Sequence, residues 1–247
     1  MRRAIENAFL IAWMKFYPDF RVQPLIVLIQ AGVSGSPLFF FLIAGSLTGL
    51  RNGIVGAMVA MVSFIGITSC VQDVVQDRYT KMREIIVAMP VHPASYAFGI
   101  ALASLLVSIP GLLLFIGIGA WLGLVSQVAI FWLLAALLLC WVSTSMLGFI
   151  VSSHLSKLPP ATLNSIARLL SLCLVFLPPV YYSDTTLGPF SWFSYILPTS
   201  NAACLIRTFL GLSPFSFDTV ILRLLILTGT TISLVLLVRF KTKWREN

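Results

Sequence analysis

Residues 85–156 contain no Asp, Glu, Lys or Arg. A water-soluble fold has no use for so long an uncharged stretch. A bilayer does: one helical crossing takes about 20 apolar residues. The stretch is too long for one crossing, and residues 119–127, with Trp121 among them, offer the turn between two. Composition points the same way. Of the 247 residues 59% are apolar and only 10% charged, with a mean hydropathy of +0.99, against about 25% charged in an ordinary soluble domain. The expected fold class is an all-α integral membrane protein.

Other charge-poor windows complete the layout. A first crossing covers residues 24–47, interrupted by Gly32-Val33-Ser34-Gly35-Ser36-Pro37, which should kink or locally unwind it. The rest are expected over 53–72, 94–120, 128–151, 163–177 and 220–238, the fifth framed by Pro159-Pro160 and Pro178-Pro179. Six crossings put both termini on one side. Thirteen of the 16 Lys and Arg residues then share that side, leaving only Arg51, Arg207 and Arg223 opposite. This asymmetry predicts a multi-pass cell-membrane protein with cytoplasmic termini.

Two flanking segments are unusual. Residues 1–21 mix Arg2, Arg3, Glu6, Lys15 and Asp19 with Ile5, Phe9, Trp13 and Phe16, as an interfacial helix would. Residues 181–217 are too apolar for a hydrated loop, and Pro189 and Pro198 cut them into pieces too short to cross. Re-entrant helices forming an outer gate fit this composition, with Asp184 and Arg207 at the polar boundary and Trp192 and Tyr195 at headgroup depth. The net charge of +8 sits at the chain ends and in short loops rather than on one face, which argues against nucleic acid. Cys70, Cys140, Cys173 and Cys204 lack paired spacing, and neither His92 nor His154 has a second ligand type nearby, so no metal site is expected.

The richest stretch is 72–93, QDVVQDRYTKMREIIVAMPVHP. Mixed charge at helical spacing, with Met82, Ile85, Ile86 and Met89 as an apolar stripe, describes a short amphipathic surface helix over 77–89. The plain alternative is an ordinary topogenic loop. An interfacial amino-terminal helix, six crossings and this Asp-Arg-x-x-x-x-Arg-Glu-Ile-Ile-Val-x-x-Pro-Val loop resemble the permease subunits of ABC exporters of the ABC-2 type. Glu84, Ile85, Ile86 and Pro90 follow the family's acidic-aliphatic-aliphatic-proline pattern with one extra residue before the proline. Later, Leu197-Pro198-Thr199 followed by Arg207 and Gly211 is similar to the family's second motif.

The resemblance implies a coupling helix that docks on a separate ATPase subunit, through Asp77, Arg78, Met82, Arg83 and Glu84. It also implies two ATPase copies holding ATP and Mg, a second permease copy or homologue, surrounding membrane lipid, and an outer gate including Trp192, Tyr195 and Pro198. The chain carries no G-x-x-x-x-G-K-[ST] and no Gly-Lys pair, so ATP hydrolysis is expected on the partner, with a hydrophobic or amphipathic substrate moved outward. Gln30, Ser34 and Ser36 are polar groups in the first crossing and are expected to line the substrate path. Two other classes compete. An ion-coupled transporter would place titratable groups inside the bilayer, where this chain has almost none. Gly32-Val33-Ser34-Gly35 matches the G-x-S-G of intramembrane serine proteases, whose base would have to be a histidine on a later span.

Overall fold

The computed structural model describes residues 2–22, 24–43, 46–79, 93–124, 127–155 and 157–241, and all regular structure among them is helical. In chain order these are α1 (Arg2–Val22), α2 (Pro24–Ile43), α3 (Leu47–Tyr79), α4 (Pro93–Trp121), α5 (Gln127–His154), α6 (Pro160–Phe176), a 3-10 segment (Asp184–Tyr195), α7 (Pro198–Phe209) and α8 (Phe217–Lys241). Among the described residues α3, α4, α5 and α8 are long and apolar enough to cross a bilayer. The 20-residue α2 and the 17-residue α6 occupy the places of the first and fifth expected crossings.

Two expectations change. Gly32 to Pro37 do not unwind α2, which stays helical throughout. Pro37 lacks the N–H that would bond the carbonyl of Val33, but the Ser36 hydroxyl donates to that carbonyl at 2.8 Å and takes over the role. The second crossing is also longer than its apolar window, because α3 continues to Tyr79. Asp77 and Arg78 therefore extend this helix rather than open a new one. The remainder of the expected 77–89 helix, with Met82, Arg83 and Glu84, lies outside the described residues.

α3 is the axis of the bundle and packs against α2, α4, α5, α6 and α7. Its hydrophobic window is 83% buried inside the protein, against 17% for α8. Lipid is as apolar as leucine, so membrane helices gain by close approach through small residues. The α3–α5 contact follows this rule. A Cβ on Gly148 would stand 2.7 Å from the Ile67 carbonyl oxygen, and one on Gly66 would stand 2.8 Å from Thr144 Oγ1. Hydrogen bonds then fix the neighbours: Trp141 Nε1 of α5 donates to the Ala101 carbonyl of α4 at 3.0 Å, and Ser143 of α5 meets Thr231 of α8 at 2.7 Å.

α1 inverts the pattern of a soluble amphipathic helix. Its inward stripe is Ala8, Ile11, Ala12 and Lys15, while Phe9, Leu10, Trp13, Met14 and Tyr17 are exposed. The small residues allow contact with α4 so close that a Cβ on Gly99 would lie 2.9 Å from the Ala8 carbonyl oxygen.

This packing predicts an asymmetry between two glycines. Gly148→Ala should destabilise the protein by roughly 1–3 kcal/mol and lower the thermal midpoint in detergent. Gly117→Ala, with open space around its α4 position, should leave the midpoint unchanged or slightly raised. Equal midpoints for the two variants would contradict the close α3–α5 approach.

Candidate functional site

Polar side chains collect at the two ends of the bundle. At one end α3 presents Asp73 and Asp77, one helical turn apart. The Asp77 carboxylate is 1% exposed and ion-paired with Lys15 of α1, whose ammonium also lies 4.0 Å from Asp73. Tyr96 of α4 donates its hydroxyl to the other Asp77 oxygen at 2.6 Å. One carboxylate thus ties three helices together. Arg78 leaves α3 in another direction and donates to the Ser152 carbonyl in the last turn of α5, where a cation also complements the helix dipole.

Midway, Tyr181 fastens α2 to α3. Its hydroxyl donates to the Ser34 carbonyl at 2.8 Å, and its ring rests so closely on Gly56 that a Cβ there would be 2.4 Å away. Ser34 itself is buried and points its hydroxyl at Met61 Sδ, 3.6 Å away.

At the far end, the segment after α6 is built from substituted hydrogen bonds. Pro178 lacks the N–H that would bond the Leu174 carbonyl, and Thr199 Oγ1 donates to that carbonyl at 2.5 Å instead. The carbonyls of Pro179 and Val180 accept from Arg207. Arg207 sits on α7, which starts with Pro198 at its first position and stops at Gly211. There φ is +71, with the Leu212 N–H on the Arg207 carbonyl at 2.8 Å and the Gly211 N–H on the Thr208 carbonyl at 3.2 Å. This is a Schellman stop, for which glycine suits the left-handed residue. The leucine-proline, arginine and glycine of the second sequence motif are therefore the start, the inward anchor and the end of one helix.

Arg223 of α8 completes this node. Its guanidinium is 3% exposed, pairs with Asp184, and donates to Ser194 Oγ at 3.0 Å and Asn201 Oδ1 at 3.2 Å. It also stacks over the Tyr195 ring, 4.2 Å from the centroid. Arg207 Nη1 stands 4.0 Å from the same Asp184. Burial lowers the Arg207 guanidinium to about 10, with Asp184 acting in the opposite sense, so it remains protonated at neutral pH. Two buried cations therefore share one carboxylate.

The sequence-derived site residues separate in space. Asp77 is turned into the chain, and Arg78 is half-buried on α5. Met82, Arg83 and Glu84 lie outside the described residues, as does the Gln30 side chain. Ser34 was expected to face a wet path and instead lies inside the α2–α3 contact; Ser36 is exposed, with its hydroxyl committed to Val33. Trp192 is exposed, Tyr195 is half-buried beneath Arg223, and Pro198 is buried at the start of α7. Sequence reading missed the partnership of Lys15 with Asp77 and that of Arg223 with Asp184. The available signal was one lysine on an otherwise small and apolar helix face, and so few charges on the far side that pairing was their cheapest burial. Among the described residues no group of three or more His, Cys, Asp or Glu could hold a metal ion.

The Asp77 node predicts strong non-additivity. Asp77→Ala should cost about 3 kcal/mol, because the largely buried Lys15 loses its close partner and keeps only Asp73 at 4.0 Å. Adding Lys15→Met to Asp77→Ala should restore part of that loss, read as the thermal midpoint of the purified protein. A double variant no more stable than Asp77→Ala would show that the pair is not coupled.

A family model described as ABC-2 type transporter matches residues 20–210. No curated protein matches the chain. The match runs from the end of α1 through α7 and takes in the central helix, both polar nodes except Lys15 and Arg223, and the Arg207 helix. The chain belongs to the ABC-2 type transporter family, as the membrane-embedded permease component of an ABC transporter.

Proposed function

We propose that this permease belongs to an ATP-driven exporter of a hydrophobic or amphipathic substrate, paired with a second permease copy or homologue and driven by two separate ATPase subunits. The observation that carries the coupling part is the anchorage of α3. Its last turns are joined to α1 and α4 through Asp77 and to α5 through Arg78. Residues 80–92 follow directly in sequence, so a push delivered through them would reach four helices at once. In this reading residues 77–89 form the coupling element. Asp77 and Arg78 then act as its anchor inside the membrane domain, and Arg83, Glu84 and Met82 supply the contact with the ATPase.

Positive charge flanks this end of the bundle in sequence, which supports placing it and both termini in the cytoplasm of a plasma-membrane protein. The segment 181–217 is then the exit gate, with Trp192 and Tyr195 near headgroup depth. The exposed edge of α2 formed by Ile29, Val33 and Ser36 is the candidate path or permease-facing surface. Its inward edge is occupied by protein. Among the described residues the competing classes find no matching arrangement. Ser34 of the protease-like string is engaged with Met61, and His154 Nδ1 lies 3.1 Å from the Ile150 carbonyl at the end of α5. An ABC-2 permease normally works with an ABC ATPase, which supplies energy without an ion relay.

Charge reversal at Arg83 and Glu84 together tests the coupling. With the ATPase co-expressed, the double variant should insert normally and lose most substrate-stimulated ATP hydrolysis. Unchanged turnover would reduce the loop to a topological signal.

A further inference from the structure

We infer that Arg223 is a releasable latch that lets the last span, α8, hold the exit gate shut. The inference rests on reading 181–217 as that gate. One guanidinium holds both ends of the 3-10 segment: Asp184 is its first residue, and Ser194 and Tyr195 are its last two. The same group reaches Asn201 in the first turn of α7, and the Asn201 amide in turn donates to the Tyr195 and Leu197 carbonyls at 2.8 and 2.9 Å. Without Arg223, α8 has no charged hold on this segment among the described residues.

Three features make the hold releasable rather than permanent. The segment is 3-10 rather than α-helical, a geometry with poorer hydrogen bonds, and it is broken at Gly188, where φ is +52. The charges do not balance: Arg207 and Arg223 share Asp184. Asp184 Oδ1, Arg207 Nε and Arg223 Nε are buried without a hydrogen-bond partner among the described residues, and each such group disfavours the closed arrangement. Finally, α8 is the least enclosed of the long helices, with 17% of its window buried. It can shift against the core at lower cost than α3, and a shift of one helix moves both ends of the segment together. Release of this one side chain would uncover Ser194, which is fully buried when the latch is closed.

The test uses the whole transporter, permease with its ATPase, in lipid nanodiscs. Cys173 is changed to Ser and Cys204, which lies against Asp184, to Ala, so that no new donor enters the node; Cys70 and Cys140 are buried. Ser194→Cys then places a thiol of nearly the same size beneath the latch, and a membrane-impermeant maleimide reads its exposure. Without nucleotide, labelling should be slow; during ATP turnover it should rise about tenfold or more, the mark of a tenfold population shift. With Arg223→Met added, labelling should be fast in both conditions. Ser191→Cys, at an exposed position, should react throughout and reports that the reagent reaches the segment. Slow labelling of the Ser194→Cys thiol in every condition, with ATP turnover intact, overturns the latch and leaves the permease reading standing. Fast labelling without nucleotide, with Arg223 in place, also overturns it. An ATPase that does not associate with the unsubstituted chain overturns both. Should Arg223→Met fail to insert, the nucleotide dependence of the single variant decides.

Discussion

Everything in this permease is arranged around a helix that lipid scarcely reaches. α3 is enclosed by five other helices, and it tolerates that crowding because Gly56, Gly66 and neighbouring small residues let side chains and backbones come within contact of it. No hydrophobic force favours such burial inside a bilayer, so the enclosure depends on dispersion contacts and on hydrogen bonds between helices. A helix held this way behaves as a stiff rod. One end carries Asp77, locked to α1 and α4; nearer the other lies the Tyr181 contact, at the start of residues 181–217.

The second constraint is carbonyl bookkeeping in a medium without water. A proline past the first turn of a membrane helix frees a carbonyl, and an unsatisfied one costs several kcal/mol in hydrocarbon. At Pro37 and Pro178 side chains meet the problem, Ser36 serving Val33 and Thr199 serving Leu174, while Arg207 takes up the turn carbonyls of Pro179 and Val180. The last two come from α7, so the turn after Pro178-Pro179 is completed only when α7 docks. The fold of the turn after α6 and the docking of α7 are therefore one event.

The helices themselves were legible in the sequence because hydropathy and proline leave strong marks. Residues 94–120 and 128–151 were expected to cross and are seen as Pro93–Trp121 and Gln127–His154. The local unwinding allowed for at Gly32 to Pro37 does not occur, since a serine one residue before the proline takes up the freed carbonyl. The end of α3 was misjudged for a related reason. Hydropathy drops at Asp73, but a helix continues through charges when Lys15 and Tyr96 are waiting to bury them. Ser34 shows the limit of polarity as a guide to a wet path, because a sulfur atom and a helix neighbour can take a hydroxyl in. Partners from distant segments, such as Arg223 for Asp184, are fixed by tertiary approach and leave only their charge in the sequence.

If α3 carries displacement from residues 80–92 toward residues 181–217, it must do so without bending. Spin labels at Arg51 and Gln72, both exposed on α3, are separated by 21 residues, or about 31 Å of helix. Pulsed dipolar spectroscopy on transporters with one labelled and one unlabelled permease copy would read this distance directly. The account predicts one narrow distribution that is the same with and without ATP. A distance that shortens or splits by several ångström on ATP binding would mean that α3 bends, and the link between the two ends of the permease would have to run through another helix.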